Sequence, residues 1–373
     1  MQIETIKTPS LIVDFERMKR NAESISARAR KLNVRLRPHV KTHRCAEIAR
    51  IQTENEFGGI MVSTLAEAHF FAKNGFSDIT YGVPVERGKF AEVIEISNTI
   101  ERFAVLTDDL ESVRELAEKA KSENARVNVF LKVDTGAHRC GVEPDSKEAL
   151  EIPRAIGDST NLDFAGILTH AGQAYEAGSP EKLLKVAQHE RDSMRGLADK
   201  LRAEGLEVPT VSIGSTPTMS AIDNLEGVSE FRCGNYIFYD AFQATLGSCG
   251  FEDCALTVLA AVVHRDQERR KIVVDAGAVA LSKDRGAVDL DSFCGYGRVY
   301  DLEGKDLGLR VGSLSQEHGE IFVDDETTFN SLKVGSRVRI LANHSCLTAL
   351  QHSHYHILDG GKIVDRWEIN RGW

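Results

Sequence analysis

The sequence contains no long hydrophobic run. No window of the 373 residues holds the roughly 20 consecutive apolar residues that a bilayer-spanning helix needs. The first residues, Met1–Thr5, also lack the basic and then apolar layout of a secretory signal. Acidic residues outnumber basic ones, so the formal net charge is −10. Because nucleic acids and anionic membranes bind clustered Lys and Arg, the sequence predicts neither as a partner.

Cysteine is too sparse for a disulfide scaffold. The chain has seven Cys residues, an odd number, scattered along its length. Without a secretory signal they are expected to be free thiols in a reducing cytoplasm. The hydrophobic content of 42% is that of an ordinary globular protein. At this length we expect one large domain with a sizeable core and a smaller second domain.

The first two thirds of the chain alternate short β-rich runs with longer amphipathic helical stretches. Eight runs have the character of strands: 34–40, 59–64, 78–83, 102–106, 127–134, 163–169, 210–214 and 230–233. The helical stretches between them, such as 109–123 and 179–204, are long enough for right-handed crossovers. A closed (β/α)8 barrel of the TIM type is the most economical arrangement. A doubly wound open sheet also fits, because alternation alone does not demonstrate closure.

The pattern changes from about residue 255 onward. Closely spaced strands follow one another there, separated by Gly-rich turns such as Asp359-Gly360-Gly361. We expect strands at 256–264, 271–281, 297–301, 309–315, 320–323, 337–341 and 354–358, and no helix among them. The sequence therefore predicts a barrel domain, 8–245, and a C-terminal all-β domain, 246–373. The strand-like N-terminal segment is a candidate to pair with the second domain, which would then include 1–14.

Lys41 is the first candidate for special chemistry. Functional residues of a barrel gather at the carboxyl ends of the strands, and Lys41 follows the first predicted strand between His39 and His43. A lysine that loses its water there, near other cations, becomes a nucleophile towards carbonyl carbon. The alternative is a solvated surface lysine, which most lysines are.

Two Gly-containing segments follow the last two predicted barrel strands. They are Gly214-Ser215-Thr216 and Gly234-Asn235. Barrels often bind phosphate at these two loops through backbone N–H groups and hydroxyls, and glycine permits close approach of the backbone. Each segment alone is typical of an ordinary turn. Their joint placement predicts a phosphate site.

Three further side chains are weaker candidates. Arg139 lies in a short loop between two glycines after the fifth strand, where its guanidinium could face inward or pair with a surface carboxylate. His170 ends the sixth strand, a place where histidine more often belongs to the core or the rim. His318, next to Glu317, is a candidate for proton transfer.

A possible metal pair lies in the second domain. His344 and Cys346 are two residues apart, so in a strand their side chains would share a face and could bind a borderline metal such as zinc. Such pairs also arise by chance. His352, His354 and His356 alternate in the same way, and we interpret them as a polar strand face.

Several motifs in this order resemble those of fold-type III pyridoxal-phosphate (PLP) enzymes. The branch is that of the eukaryotic-type D-serine dehydratases and D-threonine aldolases, relatives of alanine racemase. The resemblance covers essentially the whole chain, and implies an alanine racemase-like barrel, a β domain and a homodimer. Its motifs are Thr8-Pro9-Ser10-Leu11-Ile12-Val13-Asp14, Arg37-Pro38-His39-Val40-Lys41-Thr42-His43, Gly136–Gly141, Gly214–Thr218, Arg232–Asp240, Asp275-Ala276-Gly277, Ser315–Gly319 and His344–Cys346.

The resemblance also implies residue roles. Lys41 would bind PLP covalently, and Arg139 would lie near its phenolic oxygen or ring. Arg232 stands where alanine racemase has the arginine that faces the pyridine nitrogen. His344 and Cys346 match the metal ligands of the D-serine dehydratases, whereas the aldolases carry His-x-Asp and a different lead-in to the lysine. Phosphate would be bound by Gly214, Ser215, Thr216, Gly234 and Asn235, and further cofactor contacts would come from His170 and Tyr175.

We therefore expect a lyase that depends on PLP and a divalent metal, zinc or else manganese. Its substrate would be a small D-β-hydroxy amino acid such as D-serine or D-threo-3-hydroxyaspartate, and its products a 2-oxo acid and ammonia. Lys41 would be the catalytic base, with His318 as a second catalytic candidate. The alternatives are aldolase-type cleavage to glycine and an aldehyde, a racemase, and a non-catalytic PLP-binding protein.

Overall fold

The computed structural model describes residues 1–372, so Trp373, the last residue of the predicted second domain, lies outside it. A single 3-10 turn, Ile3–Thr5, precedes strand β1 (Ser10–Asp14) and helix α1 (Phe15–Lys31). The chain forms two compact units. Residues 24–234, together with Gly372, form the first, called the barrel unit below. Residues 1–23 and 235–371 form the second, the β unit.

The barrel unit contains eight parallel strands, in the order β2-β9-β8-β7-β6-β5-β4-β3. A parallel bridge between His39 and Met61 joins the two end strands and closes the sheet. The closed barrel is therefore confirmed, and the open doubly wound sheet is wrong. The strands are β2 (Arg35–Leu36), β3 (Ile60–Val62), β4 (Asp78–Pro84), β5 (Arg102–Thr107), β6 (Val127–Lys132), β7 (Leu162–Leu168), β8 (Val211–Ile213) and β9 (Glu230–Phe231).

Helices alternate with these strands, and their first residues carry clear start signals. Ser179, for example, accepts a hydrogen bond from the Lys182 N–H, and Pro180 occupies the first helical position, where no N–H is needed. The helices are α2 (Ala46–Thr53), α3 (Leu65–Lys73), α4 (Phe90–Ser97), α5 (Leu110–Ser122), α6 (Glu148–Gly157), α7 (Pro180–Ala203) and α8 (Thr216–Ala221). Inside the barrel, apolar side chains pack into one cluster: Met61, Ala104, Leu106, Phe130, Ala165 and Leu168.

The first barrel strand ends earlier than predicted. Its ladder hydrogen bonds continue to His39, whose N–H donates to the Cys233 carbonyl over 3.0 Å. Val40–Thr42 then forms one turn of 3-10 helix. The strand cannot continue because the Val40 carbonyl accepts a hydrogen bond from the His43 N–H within the turn and does not pair with a neighbouring strand. Lys41 thus lies on a turn just beyond the strand.

A buried ion-pair network crosses one end of the barrel. Arg37 is 0% exposed, and its Nε donates to Glu230 over 2.8 Å while a terminal nitrogen donates to Asp78 over 2.7 Å. Burial would raise the pKa of both carboxyl groups, but it is outweighed and both pKa values are lowered. At Glu230 the opposing groups are Arg37, Ser212 and Arg232. At Asp78 they are Arg37 and Arg102. Three strands, β2, β4 and β9, are joined by these contacts.

Replacing Arg37 by Met should destabilise the barrel by about 3–5 kcal/mol, because Glu230 would remain buried without its partner. Since both carboxyl pKa values are lowered in the folded state, the contribution is present above the unfolded-state values and is lost as the pH falls through the folded ones. Urea unfolding at neutral and acidic pH measures both effects. Arg126→Met, which removes an exposed partner of Asp163, is the matched control. Equal stability of Arg37→Met and wild type at neutral pH would contradict the prediction.

The β unit is an antiparallel barrel with an extension. Strands in the order β11-β14-β13-β12-β15-β10 close into a ring because β10 also pairs with β11, and β1, β16 and β17 continue from β10. The N-terminal strand β1 pairs antiparallel with β10 and parallel with β16. The strands are β10 (Leu256–Asp266), β11 (Lys271–Val274), β12 (Arg298–Tyr300), β13 (Asp306–Leu314), β14 (Gly319–Phe322), β15 (Arg337–Leu341), β16 (His354–Asp359) and β17 (Lys362–Glu368).

The C-terminal β architecture is confirmed, but the expectation of no helix from about residue 255 onward is wrong. The short helices of the β unit are α9 (Ala241–Thr245), α10 (Ala278–Leu281), α11 (Glu326–Ser331) and α12 (Ser345–Ala349). The strand predicted over 271–281 ends at Val274, since Ala278 turns away and donates its N–H to the Ser315 carbonyl. Helices of four to six residues are too short to display a 3.6-residue period. Strand β17 was also not predicted.

None of the helices formed by residues 1–372 combines the length and apolar character that crossing a bilayer requires.

Candidate active site

Lys41 is exposed on its turn. Its positive charge helps to lower the pKa values of two histidines of the barrel unit, His170 and His39. Burial, and after it the Lys41 charge, lowers the pKa of His170 to about 3. The same two causes, joined by the charge of Arg232, hold the pKa of His39 well below its ordinary value. The His39 Nδ1 is shielded from solvent and has no hydrogen-bond partner among residues 1–372. Both imidazoles are therefore neutral at physiological pH and can accept a hydrogen bond from a ligand.

Two more cations lie in the same part of the barrel unit. Arg232 donates to the Ser212 hydroxyl over 2.7 Å, to Met61 Sδ over 3.2 Å and to the Thr169 carbonyl. Burial lowers the pKa of Arg232 to about 10. Lys132, at the end of β6, is buried and donates to the Val133 carbonyl over 2.8 Å. Burial lowers its pKa to about 8. This lysine was missed, although its place at the end of a mostly apolar strand was a usable signal.

The glycine-bracketed loop after β6 is compact, as expected. One carboxylate oxygen of Asp134 accepts the N–H groups of Gly136, Ala137 and His138 over 2.9, 2.9 and 3.1 Å. The Arg139 side chain is exposed. Its charge nevertheless contributes, after burial, to the lowered pKa values of Lys132 and His170. The loop thus brings Arg139 near the other cations of the site.

The segment after β8 has the properties of an anion cradle. Gly214 has φ +125°, and a Cβ there would lie 2.3 Å from the Phe231 ring, so no other residue fits. Ser215 caps α8 and accepts the Thr218 N–H over 3.3 Å. The buried Thr216 Oγ1 has no hydrogen-bond partner among residues 1–372. An unpartnered hydroxyl beside an obligatory glycine is what a phosphate oxygen requires.

The second glycine segment and the nearby rings belong to the same region. A Cβ on Gly234 would lie 2.4 Å from the His39 carbonyl oxygen, so this glycine allows close approach of two chain segments. His170 Nδ1 lies 3.2 Å from the Gly214 carbonyl oxygen, and the Tyr175 ring centroid is 6.4 Å from that of His170. The barrel unit therefore contains the predicted cofactor residues other than Asn235, and Gly214, His170 and Tyr175 lie in one part of it.

His344 and Cys346 are also brought together, although not as predicted. His344 precedes α12 and Cys346 lies in its first turn, so the pair is presented by a helix start and not by a strand face. Asp284 Oδ2 lies 2.7 Å from His344 Nδ1. Burial would lower the pKa of His344, but Asp284 and Cys346 raise it to about 11. Asp284, which was missed, fixes one ring nitrogen of this histidine.

Asn235 belongs to the surroundings of this pair. Its amide donates to Asp240 over 2.7 Å, to the Ser345 hydroxyl over 3.0 Å and to Cys346 Sγ over 3.6 Å. Asp240 also accepts the Ser345 N–H over 2.9 Å and so holds the start of α12. The side chain of Asn235 is therefore engaged within the β unit, and a phosphate role for this residue stays a prediction.

The remaining candidates lie elsewhere in the β unit. His318 is exposed in the loop between β13 and β14, where its carbonyl accepts the Ser315 N–H over 3.0 Å. His354 and His356 lie on β16, whereas His352 precedes it and contacts the Ala280 carbonyl at 3.0 Å. Within residues 1–372, no group of three or more His, Cys, Asp or Glu side chains is arranged to hold a metal. The pair His344–Cys346 is thus a two-residue donor set.

Comparison with known proteins bears on both units. Residues 13–241 match the family “Alanine racemase, N-terminal domain”, and residues 255–358 match the “Putative serine dehydratase domain”. The D-threo-3-hydroxyaspartate dehydratase of a Delftia species is 36% identical, with 99% of this chain and 98% of the relative covered. The D-serine dehydratase of Dictyostelium discoideum is also 36% identical, with 100% and 98% covered.

Solved structures agree with these matches. The Delftia dehydratase superimposes with a TM-score of 0.97 at 35% identity, covering 100% of both chains. The D-threonine aldolase of Filomicrobium marinum gives a TM-score of 0.88 at 27% identity, covering 99% of this chain and 97% of that one. The predicted alanine racemase-like fold and the family resemblance are confirmed. The chain belongs to the alanine racemase-like, PLP-dependent fold-type III family, in the branch that carries the serine dehydratase domain.

Proposed function

We propose that this protein is a dehydratase that converts a D-β-hydroxy amino acid into a 2-oxo acid and ammonia, with PLP and a divalent metal as cofactors. The observation that carries the proposal is the approach of Cys346 to His344 in a chain 36% identical, over nearly its full length, to two dehydratases. D-Serine and D-threo-3-hydroxyaspartate, the substrates in the names of those relatives, are the leading candidates.

The barrel unit has the groups that PLP needs. Lys41 Nζ would hold the cofactor covalently, and the unpartnered Thr216 hydroxyl beside Gly214 would bind its phosphate. When bound, PLP supplies an electron sink for the carbon that loses its proton. Lys41 would remove that proton from the substrate Cα. The neutral His39 and His170 imidazoles would accept hydrogen bonds without adding positive charge next to Lys41.

The β unit has a donor set that suits zinc. Imidazole and thiolate are preferred zinc ligands, and two protein ligands leave positions open for water and substrate. Asp284 holds the Nδ1 side of His344, which leaves Nε2 as the ligand atom. A D-threo-3-hydroxyaspartate dehydratase with a cysteine replaced by alanine has been solved in a metal-free form. A bound divalent ion would act as a Lewis acid on the β-hydroxyl group.

Aldolase chemistry is the second candidate function. Relatives include a 3-hydroxy-D-aspartate aldolase of Paracoccus denitrificans, at 28% identity over 99% of this chain and 93% of the relative. Loss of the β-hydroxyl and cleavage of the Cα–Cβ bond start from the same bound substrate. The higher identity to the dehydratases and the presence of Cys346 favour elimination.

Several further predictions remain part of the proposal. The family resemblance supports a homodimer, and free thiols at all seven cysteines suit a reducing compartment such as the cytoplasm. The domain limits 8–245 and 246–373 stay predictions, as does a catalytic role of the exposed His318.

A substrate panel tests the proposal. D- and L-serine, D-threonine and D-threo-3-hydroxyaspartate would each be assayed for both 2-oxo acid and aldehyde, after chelation and after adding back zinc or manganese. We expect 2-oxo acid from a D-substrate, lost on chelation and restored by metal. Glycine plus an aldehyde would replace the dehydratase by an aldolase. Turnover that chelation leaves unchanged would reject the metal.

A further inference from the structure

Glu190 is a buried carboxyl group in the middle of α7. It is 0% exposed, although α7 is otherwise rich in charged residues that face solvent. Its Oε1 accepts two backbone N–H groups, that of Ala171 over 3.0 Å and that of Gly214 over 3.1 Å. These amides belong to different segments, one after β7 and one after β8. A single oxygen atom therefore connects two adjacent loops of the barrel unit.

The position is unfavourable for a carboxyl group unless its contacts compensate. Burial raises the pKa of Glu190, and the Gly214 N–H, the charge of Arg232 and the Ala171 N–H oppose that rise. The Thr218 side chain opposes the rise as well, more weakly, and the second oxygen, Oε2, makes no hydrogen bond of good geometry among residues 1–372. An apolar side chain would avoid this cost of desolvation. The contacts of Oε1 are thus the physical reason for a glutamate here.

The connected loops are those that carry the phosphate cradle. The Gly214 N–H is held by Glu190, and the Gly214 carbonyl lies 3.2 Å from His170 Nδ1. The backbone of Gly214 is therefore fixed from both sides, at a φ of +125° that requires glycine. The next residues are Ser215 and Thr216, whose Oγ1 is buried without a partner. Any shift of Gly214 would move that hydroxyl.

We infer that Glu190 is a positioning residue for phosphate recognition: it ties Ala171 to Gly214 and so holds the Thr216 hydroxyl where a phosphate oxygen binds. Glu190 itself does not contact the phosphate in this arrangement. The inference rests on the proposed function only in taking PLP as the ligand. It adds that affinity for the phosphate group depends on a carboxyl oxygen on the far side of the loop.

The test compares PLP with pyridoxal, which lacks the phosphate but still reacts with Lys41. Apo protein would be titrated with each aldehyde, and the absorbance of the lysine-bound form followed. Glu190→Leu should lower PLP affinity at least about tenfold, the factor that corresponds to 1.4 kcal/mol, and leave pyridoxal affinity unchanged. Glu190→Gln should keep the wild-type ratio, because both hydrogen bonds end on one oxygen that the amide retains. Met194→Ala, which perturbs buried packing on the same helix, should leave the ratio unchanged.

Ala171→Pro provides a second variant in case Glu190→Leu does not fold. It deletes one of the two N–H donors at a residue whose φ of −76° suits proline, and should also lower PLP affinity selectively. Equal losses for PLP and pyridoxal, or no loss for either, would overturn the inference. Failure of wild-type protein to bind either aldehyde at Lys41 would instead reject the proposed cofactor, so the two failures are distinguishable.

Discussion

Replacing Lys41 by Ala is expected to abolish the absorbance of the lysine-bound cofactor and to lower kcat by a factor of roughly 10²–10⁴, the range for loss of a general base. The reason is that Lys41 has two proposed tasks, covalent attachment of PLP and removal of the Cα proton. The absorbance spectrum of purified protein measures the attachment, and the initial rate of 2-oxo acid formation measures the combined effect of both tasks on turnover.

Two control variants test whether the effects of Lys41→Ala come from losing these two tasks or only from losing a positive charge. Lys41→Arg keeps the positive charge near His39 and His170 but cannot attach the cofactor, and should be as inactive as Lys41→Ala. Lys200→Ala removes an exposed lysine of α7 and should behave as wild type. An unaltered cofactor spectrum in Lys41→Ala would show that another lysine, such as the buried Lys132, holds PLP.

The second large effect concerns the metal pair. Replacing His344 by Ala should remove most of the bound zinc and lower the dehydratase rate by roughly 10³-fold, since Lewis-acid activation contributes several kcal/mol and each 1.36 kcal/mol is a factor of ten. The absorbance of the lysine-bound cofactor should remain. Metal content by elemental mass spectrometry and the initial rate, both on holoenzyme, are the measurements.

Two further variants test whether the expected losses are specific to the His344–Cys346 pair. His354→Ala removes another histidine of the β unit, which contacts Ser353 and Arg366, and should retain zinc and activity. Cys346→Asp introduces the His-x-Asp pattern of the aldolases and should raise the fraction of aldehyde among the products. A His344→Ala protein with full zinc content and full activity would remove the metal pair from the proposal.

The barrel could be predicted from the sequence because its signal is repeated. Each strand is a short apolar run, each following helix has a 3.6-residue period, and starts such as Ser179-Pro180 mark where the helices begin. The placement of Lys41 and of the Gly214 segment followed from strand order alone. The 3-10 turn that replaces the predicted last part of the first barrel strand could not be predicted, because it depends on a hydrogen bond to the Val40 carbonyl.

The residues that support the site were mostly not predictable. Glu190 occurs in a helix rich in charged side chains, and only the packed structure distinguishes a buried glutamate from a solvated one. Asp284 lies 60 positions before His344, and no local pattern links the two. His344-x-Cys346 suggested a strand because α12 is five residues long, less than two turns. The sequence identifies residues by type and order, whereas these roles depend on long-range contacts.

The pairing of β1 has a consequence for the order in which the chain folds during synthesis. All eight strands of the barrel unit lie within residues 24–234, so they are all available once residue 234 has left the ribosome. β1 is made first, yet its partners are residues such as Leu259 in β10 and Tyr355 in β16. Its backbone must therefore stay unpaired while about two thirds of the chain is translated. Such an early, exposed strand edge is where chaperones and aggregation compete for a nascent protein.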